Sequence, residues 1–177
     1  STRPKGKGSV SSMRKQVFII NGQGGVGKDT ICNCAAQYFR VRNVSSITPI
    51  VEIARFAGWD GQKTLAARRL LSQLKQAFTE FNDLSFTYCL KAYHDFLNSD
   101  DEILFLHVRE PEEIERLKTA IGSDCRTLLV RRSDLSARHY GNRSDDEVES
   151  YPYDLYFDNH PPLNTLPERV RNFFEKL

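Results

Sequence analysis

No apolar run in this chain approaches the roughly 20 residues needed to cross a bilayer, and none precedes a small-residue cleavage site near the N-terminus. A membrane partner is therefore not expected, and a cytoplasmic location is. Cysteine is sparse: Cys32, Cys34, Cys89 and Cys125 form no CxxC pair, and the first two, two apart on an expected helix, cannot face the same way. That excludes a disulfide framework or zinc site and leaves reduced core thiols. The histidines, His94, His107, His139 and His160, are dispersed and no GxSxG turn occurs, so Ser-His-Asp and Cys-His catalysis lack support. A surplus of positive charge is missing too. The formal charge is +2, but Arg3, Lys5 and Lys7 sit without any acid in residues 1–12, so the body is close to neutral. No nucleic-acid partner is expected. Residues 1–12 also lack apolar periodicity and are expected to be a tag-derived or disordered tail, with Met13 the natural start. After Met13 there are no repeats and no low-complexity stretch.

What remains, at 177 residues, 40% hydrophobic and 27% charged, is enough for one domain over residues 13–177 with its own core. Its most informative stretch is Gly22-Gln23-Gly24-Gly25-Val26-Gly27-Lys28-Asp29-Thr30. The apolar run Val17-Phe18-Ile19-Ile20 ahead of it reads as a buried strand, and the residues from Ile31 onward read as a helix. A strand, a glycine-rich turn and a helix N-terminus aim backbone N–H groups and a helix dipole at one point. Glycines there let the chain curl around a polyphosphate, and Lys28 reaches the outer phosphates as a point charge.

Strands are expected at residues 16–21, 47–53, 102–108, 126–131 and 154–158, and helices at 29–40, 63–81, 85–97, 111–121 and 166–177. Such alternation predicts an α/β fold: a parallel sheet of about five strands covered on both faces. Pro111 at a first helical position, Glu112 and Glu113 in the first turn and Gly122 at the end delimit one helix. Residues 63–81 place Ala67, Leu70, Leu71, Leu74, Phe78 and Phe81 on one apolar stripe. This helix and the next interrupt the strand–helix alternation, as an insertion over about residues 54–99. Residues 132–150 are polar and without period, the signature of a functional loop.

The Gly-Lys-Asp-Thr ending of the loop resembles the phosphate-binding loops of deoxynucleoside monophosphate kinases and of phosphomevalonate kinase. Two further strings support it. His107-Val108-Arg109 resembles the Asp-x-Arg at the matching strand end of that group, and Asp154–Asn159 resembles its last strand and turn. The resemblance implies a P-loop NTPase three-layer sandwich with an acceptor-binding helical insertion and a lid. It also implies ATP and Mg²⁺ as cofactors and small-molecule nucleotide substrates as partners, with the oligomeric state left open. On it, residues 22–30 and Asn159 are the nucleotide-binding set, Asn159 toward adenine. Lys28, Arg109, Arg132 and Arg138 are catalytic, the last two from a lid that also holds Arg131 and Arg143. Asp29 and Thr30 hold the metal.

The sequence departs from the group twice. Asp29 stands where the usual loop has Ser or Thr, with the hydroxyl moved to Thr30. His107 stands where an acid should orient Mg²⁺, a duty that falls to Asp29. The acceptor side is read from position: Arg55, Trp59, Asp60 and Lys63 flank the first inserted helix, while Arg68 and Lys75 share a face opposite its apolar stripe. Each has a plainer alternative: a solvated helix face for the cations, a turn cap for Asp60, core packing for Trp59. Asn159 reads equally as a turn residue.

The expected activity is phosphoryl transfer from ATP to a small phosphorylated acceptor, a deoxynucleoside monophosphate first and phosphomevalonate next. A nucleotide-binding regulator without turnover is the second reading. A ParA-type partitioning ATPase is the third, weakened by Gln23 where that group has a lysine and by His107 where it has an aspartate.

Overall fold

The computed structural model describes residues 14–132 and 148–177. The expected N-terminal tail and the lid arginines Arg138 and Arg143 lie outside them. Five strands, β1 (Gln16–Asn21), β2 (Val41–Ser45), β3 (Ile103–His107), β4 (Cys125–Arg131) and β5 (Leu155–Asp158), form one sheet in the order β2-β3-β1-β4-β5. All four pairings are parallel, so every strand ends at the same edge. The α-helices among the described residues are α1 (Lys28–Ala35), α2 (Thr48–Phe56), α3 (Leu65–Asn82), α4 (Leu84–Leu97), α5 (Pro111–Ile121) and α6 (Leu166–Glu175).

β1 explains the layering. It is buried along its whole length, and successive side chains go to opposite faces of the sheet. Phe18 and Ile20 enter one core with Ile31 of α1 and Val170 and Phe174 of α6. Val17 and Ile19 enter the other with Cys89 and Phe96 of α4 and Ile114 and Leu117 of α5. Two-sided burial is why the run reads as continuous rather than alternating. The four cysteines are buried free thiols; burial pushes Cys32, Cys89 and Cys125 up to about 12. Among the described residues no helix is long and apolar enough to cross a membrane.

The second strand corrects the sequence reading. Residues 47–53 are not a strand; they open α2, with Pro49 in its first turn. Proline lacks the N–H a sheet needs but suits a helix start, and Ile50 and Ala54, four apart, bury one face. The strand is instead the edge segment Val41–Ser45, half-buried and mostly polar, which leaves little hydrophobic signal. α1 also ends earlier than expected. Its end loosens into a turn, with Gln37 N–H bonding Cys34 O and Tyr38 N–H bonding Ala35 O, and the chain folds back so that Phe39 packs on the core.

Candidate functional site

Residues 22–30 leave the carboxyl end of β1 at the centre of the sheet, the edge where parallel α/β sheets bind ligands. Gly25 and Gly27 take φ of +83° and +87°, conformations that cost other residues strain. Gly27 is also the N-cap of α1, and no side chain caps this helix. The N–H groups of its first turn therefore point outward with the positive end of its dipole. Among the described residues nothing lies within 4 Å of where a Cβ on Gly25 would sit, so they leave room over the loop. Uncapped donors, an open loop and adjacent cations fit a polyphosphate.

Those cations are Lys28 and Arg109. Lys28 has its pKa lowered, chiefly by burial and next by the charge of Arg109, while Asp29 acts the other way. Two like charges thus converge beside the helix terminus. Asp29 and Thr30 sit exposed on the first turn of α1. A carboxylate and a hydroxyl are hard oxygen donors, so this pair fits Mg²⁺.

His107, at the end of β3, has its Nε2 2.9 Å from Asn43 Oδ1 on β2. The amide oxygen only accepts, so Nε2 carries the proton and Nδ1 the lone pair. Burial, then the charge of Lys28, holds this imidazole down at about 4, so it is neutral at physiological pH.

Asn159 lies against the phosphate loop. Its Nδ2 donates to Val26 O at 2.8 Å and its backbone N–H bonds Arg131 O at 2.7 Å. Among the described residues its buried Oδ1 has no partner. Through Nδ2 the side chain braces the loop. Arg131 points over the Tyr156 ring, 4.7 Å from its centroid, and Arg132 follows it, half-buried, at the end of the described segment.

In the segment before α3, Asp60 and Trp59 are both engaged in local contacts. Asp60 Oδ1 accepts from Gln62 N–H at 2.9 Å, a side-chain turn, and Trp59 Nε1 donates to Gln62 O at 2.9 Å. Arg55 packs over the Trp59 ring, 5.2 Å from its centroid. Thr64 caps α3 through a 3.1 Å bond from Ala67 N–H, which leaves Lys63 and Arg68 exposed at the start of that helix. Lys75 is a correction. It does not share an outer face with Arg68 but turns inward, 2.7 Å from Glu110 and 2.6 Å from Glu113. Three donors on a flexible stem suit a link between two carboxylates at the start of α5, and that link joins α3 to α5.

Sequence reading missed Asn21, the last residue of β1 and fully buried. Its Oδ1 accepts from Gly22 N–H at 2.9 Å, and its Nδ2 donates to Arg109 O at 3.1 Å and to Tyr153 Oη at 3.0 Å. An amide closing an otherwise apolar buried strand was the available signal.

A cavity of about 520 Å³ lies at the opposite edge of the sheet, near Lys118, Arg126 and Asp154. Lys118 is paired with Asp154 at 2.9 Å and Arg126 lies over Phe18, so its charges are already engaged.

No protein-family model and no curated protein matches the chain. Solved structures do resemble it. Protein TT1252 from Thermus thermophilus superposes with a TM-score of 0.53 at 14% identity, over 93% of this chain and 98% of that one. A candidate kinase from Chloroflexus aurantiacus J-10-fl gives 0.51 at 14% identity, over 93% and 98%. Likeness at this identity speaks to architecture alone, and on it the chain shares the fold of these two structures, an α/β fold built here on a five-stranded parallel sheet.

Proposed function

We propose that the protein transfers the γ-phosphoryl group of ATP to a small phosphorylated acceptor, with a deoxynucleoside monophosphate as first choice and phosphomevalonate as second. The observation that carries this is the convergence of half-buried Lys28, Arg109 and the uncapped N-terminus of α1 on an open loop. Such a concentration of positive potential favours a polyanion. In the transfer, an acceptor phosphate oxygen bonds to the γ-phosphorus as the bond to the β–γ bridging oxygen breaks, and the electron pair leaves with ADP. Lys28 and Arg109 bind and orient the phosphates, with Arg132 and Arg138 as the lid contribution. Asp29 and Thr30 would hold Mg²⁺, which neutralises phosphate charge. Lys63 and Arg68, with Arg55 beside Trp59, are the acceptor-side set.

The acceptor class agrees with the charge of the site. A phosphate monoester is already ionised near neutral pH and needs no base to take its proton, whereas an alcohol does. His107, held neutral and weakly basic, is a poor proton acceptor. It also adds no negative charge to repel a dianion.

The same histidine favours the second reading, a nucleotide-binding regulator without turnover, because it stands where the kinase group has its metal-orienting acid. The test is chromatographic product analysis with ATP and Mg²⁺ across all ribo- and deoxynucleoside monophosphates and phosphomevalonate, with Lys28→Ala as blank. Stoichiometric diphosphate from one acceptor, lost in the variant, supports the kinase. Micromolar ATP binding with no acceptor phosphorylated supports the regulator.

A further inference from the structure

We propose that Asn21 is the positioning residue for Arg109, fixing the arginine's backbone against the phosphate loop so that its guanidinium meets the phosphates. The inference rests on the proposed nucleotide site and deepens it. Asn21 uses both of its donors and one acceptor position on three segments that are far apart in sequence. The Oδ1 holds the first N–H of the loop, and the Nδ2 is shared between the carbonyl of Arg109 and the hydroxyl of Tyr153. Tyr153 passes the contact on, donating to Val148 O at 2.6 Å, where the described chain resumes. The amide is fully buried and Tyr153 is nearly so, so these bonds face no competition from water.

Arg109 needs such an anchor. It lies beyond the last paired residue of β3, where the ladder that fixes His107 has ended. Its charge also acts against that of Lys28. A bond to its carbonyl holds the backbone in place. An apolar residue of similar shape would pack as well but leave the Arg109 carbonyl and Gly22 N–H without these partners. The use of asparagine at the end of an apolar strand follows from that.

The test is a double-mutant cycle on Mg·ATP affinity by calorimetry. Asn21→Ser retains a short hydroxyl for Gly22 N–H but cannot reach Arg109. With Arg109 present it should weaken ATP about tenfold; in an Arg109→Ala background the same change should cost less than twofold. Equal loss in both backgrounds overturns the proposal, because a merely structural asparagine acts whether or not the arginine is there. Tyr153→Phe keeps the Asn21–Arg109 bond and should leave affinity within twofold; a tenfold loss there places the effect on the Val148 side and overturns it too. If thermal melting shows the serine variant unfolded, Asn21→Thr, better suited to a strand, enters the same cycle with the same criteria. Failure of the proposed activity is a separate result. A parent protein that binds ATP but phosphorylates nothing sinks the kinase and leaves the cycle readable, while one that does not bind ATP sinks both.

Discussion

The phosphate loop and the strand ends beside it are held from within, by Asn21, Asn159 and Tyr153, all buried and bonded to backbone. α3, which packs on α2 and α4, is held more lightly. Of its 18 residues Ala67 alone is buried, and Leu65 and Phe81 are 78% and 80% exposed. Phe56, at the end of α2, is 95% exposed. The expected apolar stripe of α3 is thus only half used. Where the loop side owes its shape to buried hydrogen bonds, α3 owes its position to sparse packing and the Lys75 ion pairs. Under the proposed transfer, a rigid loop would hold the donor while a loosely packed helix adjusts to the acceptor.

The largest expected effect tests the rigid side. Lys28→Ala should reduce phosphoryl transfer by on the order of 10²–10³-fold, the usual cost of removing one preorganised electrostatic group. Yet it should not lower the melting temperature, because the lysine is half-buried beside another cation and its loss relieves both desolvation and repulsion. A clear drop in melting temperature would show that the loop depends on its lysine for shape, and the contrast with α3 would weaken.

Lys75→Met tests the loose side. It leaves Glu110 and Glu113 adjacent without their cation. Fully buried pairs lose about 3–5 kcal/mol when one partner goes, but Glu110 is 41% exposed and partly screened. Denaturant unfolding should therefore show a loss of about 2 kcal/mol. ATP affinity should stay within twofold, since the ion pair links α3 to α5 rather than to the loop.

The two regions were also unequally legible in the sequence. β1, the phosphate loop and α5 could be read with their boundaries, because each carries its cause locally: a two-sided apolar run, glycines at fixed spacing, Pro111 and Gly122 at the helix ends. β2 could not, since Val-Arg-Asn-Val-Ser on a sheet edge has no strong period, while Pro49 should have argued against a strand over residues 47–53. The direction of Lys75 was hidden because its carboxylates lie 35 and 38 residues away. Asn21 and Asn159 were hidden for the same reason: a side chain whose partners are 88 and 133 residues distant announces its role only once the chain is folded.

Acidity separates the regions by sign. His107 is held below its ordinary 6.5, at about 4, so the unfolded chain binds the extra proton first; its contribution is intact above 6.5 and lost as pH falls toward about 4. Glu113 is shifted the other way, raised by burial and by sharing a site with Glu110 despite the Lys75 charge. Its contribution is present below the ordinary glutamate range and fades as pH rises through its raised value. Melting curves between pH 4.5 and 7.5 should show His107→Gln gaining on the parent as the solution is acidified, and Glu113→Gln gaining as it is made neutral. Parallel curves for both variants would mean that the two sites share one environment and the division drawn above is wrong.

The smallest effect is the sharpest on the acceptor side. Arg68 is exposed near the start of α3, and an exposed guanidinium meeting a phosphate in water contributes about 0.5–1 kcal/mol. Arg68→Ala should therefore raise the acceptor KM by roughly threefold, with kcat and ATP affinity unchanged. Because the interaction runs through solvent, the difference between variant and parent should shrink as salt is raised toward 0.5 M, where screening shortens to about 4–5 Å. Lys28, half-buried in the loop, should show no such convergence. A salt-insensitive loss at Arg68 would mean that α3 closes over the acceptor and takes the arginine out of water, and the loosely held helix would then be the mobile half of an enclosed site.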